Sequence, residues 1–133
     1  MTDSQGRSRL ESRESATDAP VRPVIWIGSS KGDLSALPRE VRSSFGFRLF
    51  ELQRGKAPFD TKPLRQFGTG VHELRETYAR NAYRAVYVVN LRKGLYVLHV
   101  FMKKSTSGIA LAKRDIELIA ARLRRAQELD GKN

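Results

Sequence analysis

The hydrophobic positions of the chain follow several distinct rhythms. Val24, Ile25, Trp26 and Ile27 form a short apolar run closed by Gly28, Ser29 and Ser30, the pattern of a buried strand ending in a turn. Leu34 and Leu37, then Val41, Phe45, Leu49 and Leu52, recur at three and four residues and mark one face of a helix. Pro38 interrupts that stripe, and proline inside a helix costs about 3 kcal/mol while its first turn tolerates it. The pattern therefore predicts a short turn over Asp33 to Leu37 and a main helix from Pro38 to Arg54, capped by Gly55. Pro58, Pro63, Gly68 and Gly70 make Lys56 to Gly70 a predicted loop.

Three strand candidates follow: Val71 to Tyr78, Ala82 to Leu91 and Leu95 to Lys103. The segments Ala79-Arg80-Asn81 and Arg92-Lys93-Gly94 between them are short enough for hairpins, which predicts an antiparallel meander. After Ser105-Thr106-Ser107, whose hydroxyls suit a helix cap, Ile109, Ala112, Ile116, Ile119, Leu123 and Ala126 return to helical spacing. Lys113, Arg114, Arg122, Arg124 and Arg125 lie away from most of that stripe and predict a basic solvent side. The expected fold is α+β in the order β-α-β-β-β-α, an antiparallel sheet of about four strands with helices packed on one face. Residues 1–22 hold only Leu10 and Val21 as large aliphatics among many Ser and charged residues, so they read as a disordered polar tail, and 23–133 as the folded domain.

Composition narrows the chemistry. The 133 residues suffice for one domain. The absence of cysteine removes disulfides, thiolate nucleophiles and cysteine-based metal sites, and with only His72 and His99 a histidine-built metal site is not expected. No apolar run approaches the roughly 20 residues of a membrane span, and the N-terminus lacks the apolar stretch of a signal peptide, so a cytoplasmic protein with no membrane association is expected. The charge is the informative quantity. Lys and Arg number 25 against 14 Asp and Glu, a formal net charge of +11. In the tail, Arg7, Arg9, Arg13 and Arg22 balance Asp3, Glu11, Glu14 and Asp18, so the excess sits on the body. A body this basic suits a polyanion such as a nucleic acid backbone, or else an acidic protein partner.

Strand alternation assigns faces. Glu73 and Arg75 share one side of the first meander strand, Arg84, Val86 and Val88 one side of the second, and Val97, His99, Phe101 and Lys103 one side of the third. A face carrying Arg75, Arg84 and a terminal lysine would make an anion site built on strands. Each residue also has a structural reading. Arg75 beside Glu73 and Glu76 fits a cross-strand ion pair worth about 0–1 kcal/mol. Lys103 and Lys104 fit a solvated strand end, and His99 on an apolar strand fits a hydrogen-bonded core histidine.

The ordered set Pro38, Gly46, Gln53-Arg54-Gly55, Lys62-Pro63-Leu64, Gly70-Val71-His72-Glu73-Leu74-Arg75, Tyr83-Arg84-Ala85-Val86-Tyr87 and Leu98-His99-Val100-Phe101-Met102-Lys103-Lys104 resembles the RelE/ParE toxin superfamily, with its phage-derived, HigB-like branch nearest. The similarity runs from about Val24 to Leu129. It implies a RelE-like fold and the toxin of a type II toxin–antitoxin system, a ribosome-dependent messenger RNA endoribonuclease that inhibits translation. In that family the ribose 2′-hydroxyl attacks the adjacent phosphate, and no metal or cofactor takes part. By resemblance Arg84 binds the scissile phosphate and Arg75 stabilises the transition state or assists proton transfer. Lys103 and Lys104 contact phosphate or protonate the leaving 5′ oxygen, Lys62 adds to RNA binding, and His99 is the nearest stand-in for the late tyrosine or histidine of several members. The implied partners are messenger RNA, the ribosome and a helix-turn-helix antitoxin through which alone operator DNA is contacted. Glu73 stands where some ribonuclease members carry a second basic residue. The alternatives are a non-catalytic toxin or regulator of the same fold, such as a gyrase inhibitor or an autorepression partner, and a plain basic nucleic-acid-binding module.

Overall fold

A computed structural model describes residues 21–103 and 110–132. Its elements are β1 (Val24–Trp26), α1 (Ser30–Ser35), α2 (Arg39–Gln53), β2 (Thr61–Pro63), a 3-10 turn (Arg65–Phe67), β3 (Val71–Tyr78), β4 (Asn81–Val88), β5 (Leu95–Lys103) and α3 (Lys113–Gly131). The architecture is α+β, as the hydrophobic rhythms predict. The sheet has five strands in the order β1-β5-β4-β3-β2, with β1 parallel to β5 and the other pairs antiparallel.

The stripe expected on the main helix is its buried face: Val41, Phe45, Leu49 and Leu52 pack on Leu74, Tyr83, Ala85, Tyr87, Leu95 and Val97. Burial of side chains this size contributes roughly 1.5–3 kcal/mol each. The helix ends where the sequence predicts. Gly55, at φ +77°, donates its amide to Leu52 O at 3.0 Å while the Lys56 amide reaches Glu51 O at 2.9 Å, a Schellman closure that a residue with a Cβ would strain. On the terminal helix, Ile119, Leu123 and Ala126 join Val71, Val86, Val88, Tyr96 and Leu98 in a second core.

These two cores lie on opposite faces of the sheet, so the helices do not share one face: α2 covers one and α3 the other. Two hydrophobic sets of opposite parity in β4 require it, because Tyr83, Ala85 and Tyr87 point one way and Val86 and Val88 the other. Other expectations also change. The predicted loop 56–70 contains the edge strand β2, too short and proline-bearing for a periodicity to register. The turn over Asp33 to Leu37 is a helix two to three residues earlier. Helix α3 starts at Lys113 behind Ala112, with no side-chain cap, and the serine–threonine cluster expected to cap it lies outside the described residues. Residues 1–20 of the predicted tail lie outside them too. Arg22, the last residue of that segment, belongs to the body: its amide donates to Gln53 O at 2.9 Å and its guanidinium to Gly94 O at 2.7 Å and Leu91 O at 3.1 Å. Gly94 leaves room for the neighbouring Pro23, since a Cβ there would sit 2.6 Å from the Pro23 carbonyl oxygen.

The β3–β4 hairpin closes with Tyr78 opposite Asn81, and the two residues between, Ala79 and Arg80, both take positive φ, 52° and 67°. This is the type I′ geometry that Asn-Gly adopts without penalty and that L-residues with a Cβ resist by about 1–2 kcal/mol each. The double change Ala79→Asn, Arg80→Gly should therefore raise stability by about 1–2 kcal/mol, read as a higher urea midpoint at unchanged slope. A midpoint at or below wild type would contradict this account of the turn.

Candidate functional site

The hairpin register places Arg75 directly opposite Arg84, and Arg84 directly opposite Phe101. On the same sheet face the register adds Lys62, opposite Glu73, and Lys103, opposite Ala82. Five residues singled out in the sequence, Lys62, Arg75, Arg84, His99 and Lys103, are thus brought to one face, contributed by four neighbouring strands. Lys104 lies outside the described residues. The face is the one whose other half is covered by α3 rather than an uncovered one.

His99, Phe101 and Lys103 share this face because of a bulge. Val86 pairs with His99 but Tyr87 pairs with Val97, so Leu98 is an extra residue and strand parity inverts there. Val97, expected beside His99, faces α2 instead. The Leu98 carbonyl accepts from Arg122 Nη1 at 2.9 Å, so Arg122 joins the sheet to α3 instead of belonging to a solvated basic side. Tyr83 and Tyr87, on either side of Arg84, are buried on the α2 face, where burial pushes the Tyr87 hydroxyl up to about 12. Of these three side chains only the arginine reaches the cationic face.

The charged groups differ in their surroundings. Arg75 is 39% exposed in its side chain and grips a single Asp60 oxygen, from Nε at 3.1 Å and from Nη2 at 2.8 Å. Its partner is therefore the acid preceding β2, not Glu73 or Glu76. Arg84 is mostly buried; Nη1 donates to Tyr83 O at 3.1 Å, and Nε lies 3.5 Å from Glu73 Oε1. Those two atoms, Arg84 Nε and Glu73 Oε1, are both buried and make no hydrogen bond. Glu73 is only 4% exposed. Burial pushes the Glu73 carboxyl above the usual carboxylate range, opposed by Arg84, Lys62, Arg75 and Lys103 in that order; burial likewise draws the Arg84 guanidinium below its ordinary value, against the pull of Glu73. Lys103 is buried at the end of β5.

His99 stacks on Phe101, ring centroids 4.2 Å apart, and its Nε2 meets Asp115 Oδ1 at 2.9 Å in the first turn of α3. Its Nδ1 is buried without a partner, and desolvation holds the ring below the usual histidine range against the opposing pull of Asp115. Beside it lies a cleft of about 330 Å³ lined by Asp33, His99, Phe101, Met102, Arg114 and Asp115. Sequence reading did not single out Asp60 and Asp115, because isolated acids in loops and helix starts carry no pattern. Nor did it single out Arg48, which is wholly buried beneath β3. Among the described residues no cluster of His, Cys, Asp and Glu has the makings of a metal site, and no helix is long and apolar enough to cross a membrane.

Searches of curated proteins and of solved structures return no match. A family model does match, over residues 32–124, which takes in α2, the four antiparallel strands and most of α3, and with them every described cation of the site. On that match the chain belongs to the phage-derived Gp49-like protein family (DUF891), a family associated with toxin–antitoxin modules.

Proposed function

We propose that the protein is a toxin of the RelE/ParE superfamily, in its HigB-like branch, that cleaves messenger RNA on the ribosome and is silenced by a cognate antitoxin. The observation that carries this reading is the direct cross-strand opposition of Arg75 and Arg84 on a basic sheet face. Asp60 and Glu73 are the anions that stand beside these two guanidinium groups, and a phosphodiester has the charge and the oxygen spacing to compete for them. In this proposal Arg84 holds the scissile phosphate and Arg75, on the rim, neutralises charge as it develops. The ribose O2′ bonds to phosphorus as its proton passes to solvent water, the P–O5′ bond breaks, and Lys103 or Lys104 gives a proton to the departing 5′ oxygen. The products are a 2′,3′-cyclic phosphate and a 5′-hydroxyl. Lys62 extends the basic face along the RNA. His99, with one nitrogen on Asp115 and the other buried, is assigned to holding the start of α3 on the sheet.

Membership of a toxin–antitoxin family supports an antitoxin partner. A body with a net charge of +11 favours an acidic segment in that partner, and a helix-turn-helix antitoxin would supply the only contact with operator DNA. The test is 5′-end mapping of cellular transcripts shortly after induction, comparing wild type with Arg84→Ala at matched soluble levels. New cuts inside translated frames that vanish in the variant are expected. Growth arrest without new cuts would instead establish a non-catalytic toxin of the same fold.

A further inference from the structure

We propose that Glu73 couples phosphate binding on this face to proton uptake: an RNA phosphodiester enters at Arg84 as the Glu73 carboxylate becomes a neutral carboxylic acid. This rests on the reading of the sheet face as a phosphate site, and adds to it the residue that decides under which conditions the site accepts an anion.

The geometry begins with two atoms. Glu73 Oε1 and Arg84 Nε stand 3.5 Å apart, an ion pair too long for a hydrogen bond, and neither atom has any other hydrogen-bond partner although both are buried. A buried, unpaired carboxylate oxygen is costly to keep, and folded proteins rarely leave one without a compensating role. Here the carboxylate stands against the guanidinium edge to which a phosphate oxygen would bind, since Nη1 is already committed to the Tyr83 carbonyl. Glu73 is thus a resident anion in the place of the expected ligand.

A phosphodiester arriving at Arg84 brings a second negative charge within a few ångströms of the first, in a setting that screens poorly. The cations facing Glu73 are Lys62 from β2, Arg75 from β3, Arg84 from β4 and Lys103 from β5. The other titratable groups packed nearby are His99 of β5, held by Asp115 of α3, and Asp60, held by Arg75. The four cations pull Glu73 toward its ionised form, while burial, the largest influence, favours the neutral acid. A phosphate bound at Arg84 offsets the pull of that guanidinium, the strongest of the four, on Glu73, and adds its own repulsion to the desolvation that favours the acid. Once protonated, Glu73 offers an O–H donor to the phosphate in place of a repelling charge. Binding and protonation therefore reinforce each other, and by linkage each strengthens the other by the same factor.

The expected size follows from one proton. Between the ionisation of Glu73 in the free protein and its higher value in the complex, affinity should fall up to tenfold for each unit rise in pH. The test uses the full chain and a 2′-O-methyl hexauridylate, which cannot be cleaved and whose phosphates do not titrate between pH 5 and 8. Isothermal titration in buffers of different ionisation enthalpy reads proton uptake directly in the wild type, and the pH dependence of Kd reads the slope. Wild type should take up a fraction of a proton. Glu73→Gln should take up none, lose the slope and bind more tightly than wild type at pH 8. His99→Gln should keep the uptake, which excludes the imidazole as its source. Absence of uptake in the wild type, or its persistence in Glu73→Gln, would overturn the proposal. Arg84→Ala separates the two layers: oligonucleotide binding unchanged in that variant defeats the phosphate-site reading itself. Binding lost in it without proton uptake in the wild type defeats only the coupling.

Discussion

Replacing Arg48 with alanine should destabilise the protein by about 3–5 kcal/mol, a large part of the 5–15 kcal/mol that holds a typical domain together. Arg48 projects from the buried face of α2 and is 0% exposed. Its guanidinium donates to Phe59 O at 3.1 Å, Arg75 O at 2.8 Å, Ser44 Oγ at 3.0 Å and Glu76 Oε1 at 3.1 Å. It lies between the rings of Phe45 and Phe59, 5.4 Å and 4.5 Å from their centroids. Truncation takes the guanidinium donor from two main-chain carbonyls, leaves Glu76 Oε1 with Ser44 Oγ at 2.6 Å as its donor, and opens a void where a long side chain stood. Arg48→Met tests the cause. It keeps most of the volume and removes the desolvated charge, so its loss should be clearly smaller than that of alanine if packing dominates, and close to it if the orphaned carbonyls dominate. Urea unfolding measures both. An Arg48→Ala midpoint within error of wild type would contradict this account of the residue. The same side chain holds Arg75 by its carbonyl and Phe59 beside Asp60, so the variant should also loosen the rim of the cationic face.

Arg84→Lys should lower transcript cleavage by roughly 100-fold while leaving the fold intact, because the loss of one preorganised donor at a developing oxyanion costs about that much. Lysine keeps the charge. It loses the planar fork that donates to the Tyr83 carbonyl and meets Glu73 while still presenting an edge to phosphate. An ammonium at this position is free to turn toward Glu73 and form the shorter bond that the guanidinium geometry denies. The substitution therefore does more than weaken a ligand contact; it lets the resident carboxylate win. Cleavage should be followed by 5′-end mapping at matched soluble levels, with thermal unfolding as the control. Near wild-type cutting by Arg84→Lys would mean that charge alone suffices and that Arg84 is not the phosphate fork.

What could be read in the sequence depended on whether one side of each element faces water or a packed layer. The main helix was legible because Val41, Phe45, Leu49 and Leu52 are buried at helical spacing, and Gly55 marked its end. Arg48 was not, because a charge inside an apolar stripe looks like an ordinary surface position until its partners on β3 and the preceding loop are known. Strand parity allowed Arg75 and Arg84 to share a side, and the register set by the tight turn at Ala79 and Arg80 brings them opposite each other. The bulge at Leu98 was invisible, since a single inserted residue inverts parity without altering composition. That one residue carries Val97 to the α2 core while leaving His99 beside Asp115. Glu73 could be seen as an acid among bases, but its burial and its unpaired oxygen depend on strands β2, β4 and β5 closing around it.

The parallel pairing of β1 with β5 also sets the order in which the molecule assembles. The strands that carry the cations are consecutive and joined by short turns, so each closes a small loop and can form early. β1 meets its neighbour only across most of the domain; the Arg22 guanidinium that seals this junction reaches Gly94, 72 positions further on. A nascent chain can therefore build its cation-bearing strands before its sheet is complete, with the edge of β5 unpaired in the interval and open to adding a foreign strand. The segment synthesised first among these strands is the last to be locked in, and the protein carries its charge-bearing surface through a stage at which its fold is still unfinished.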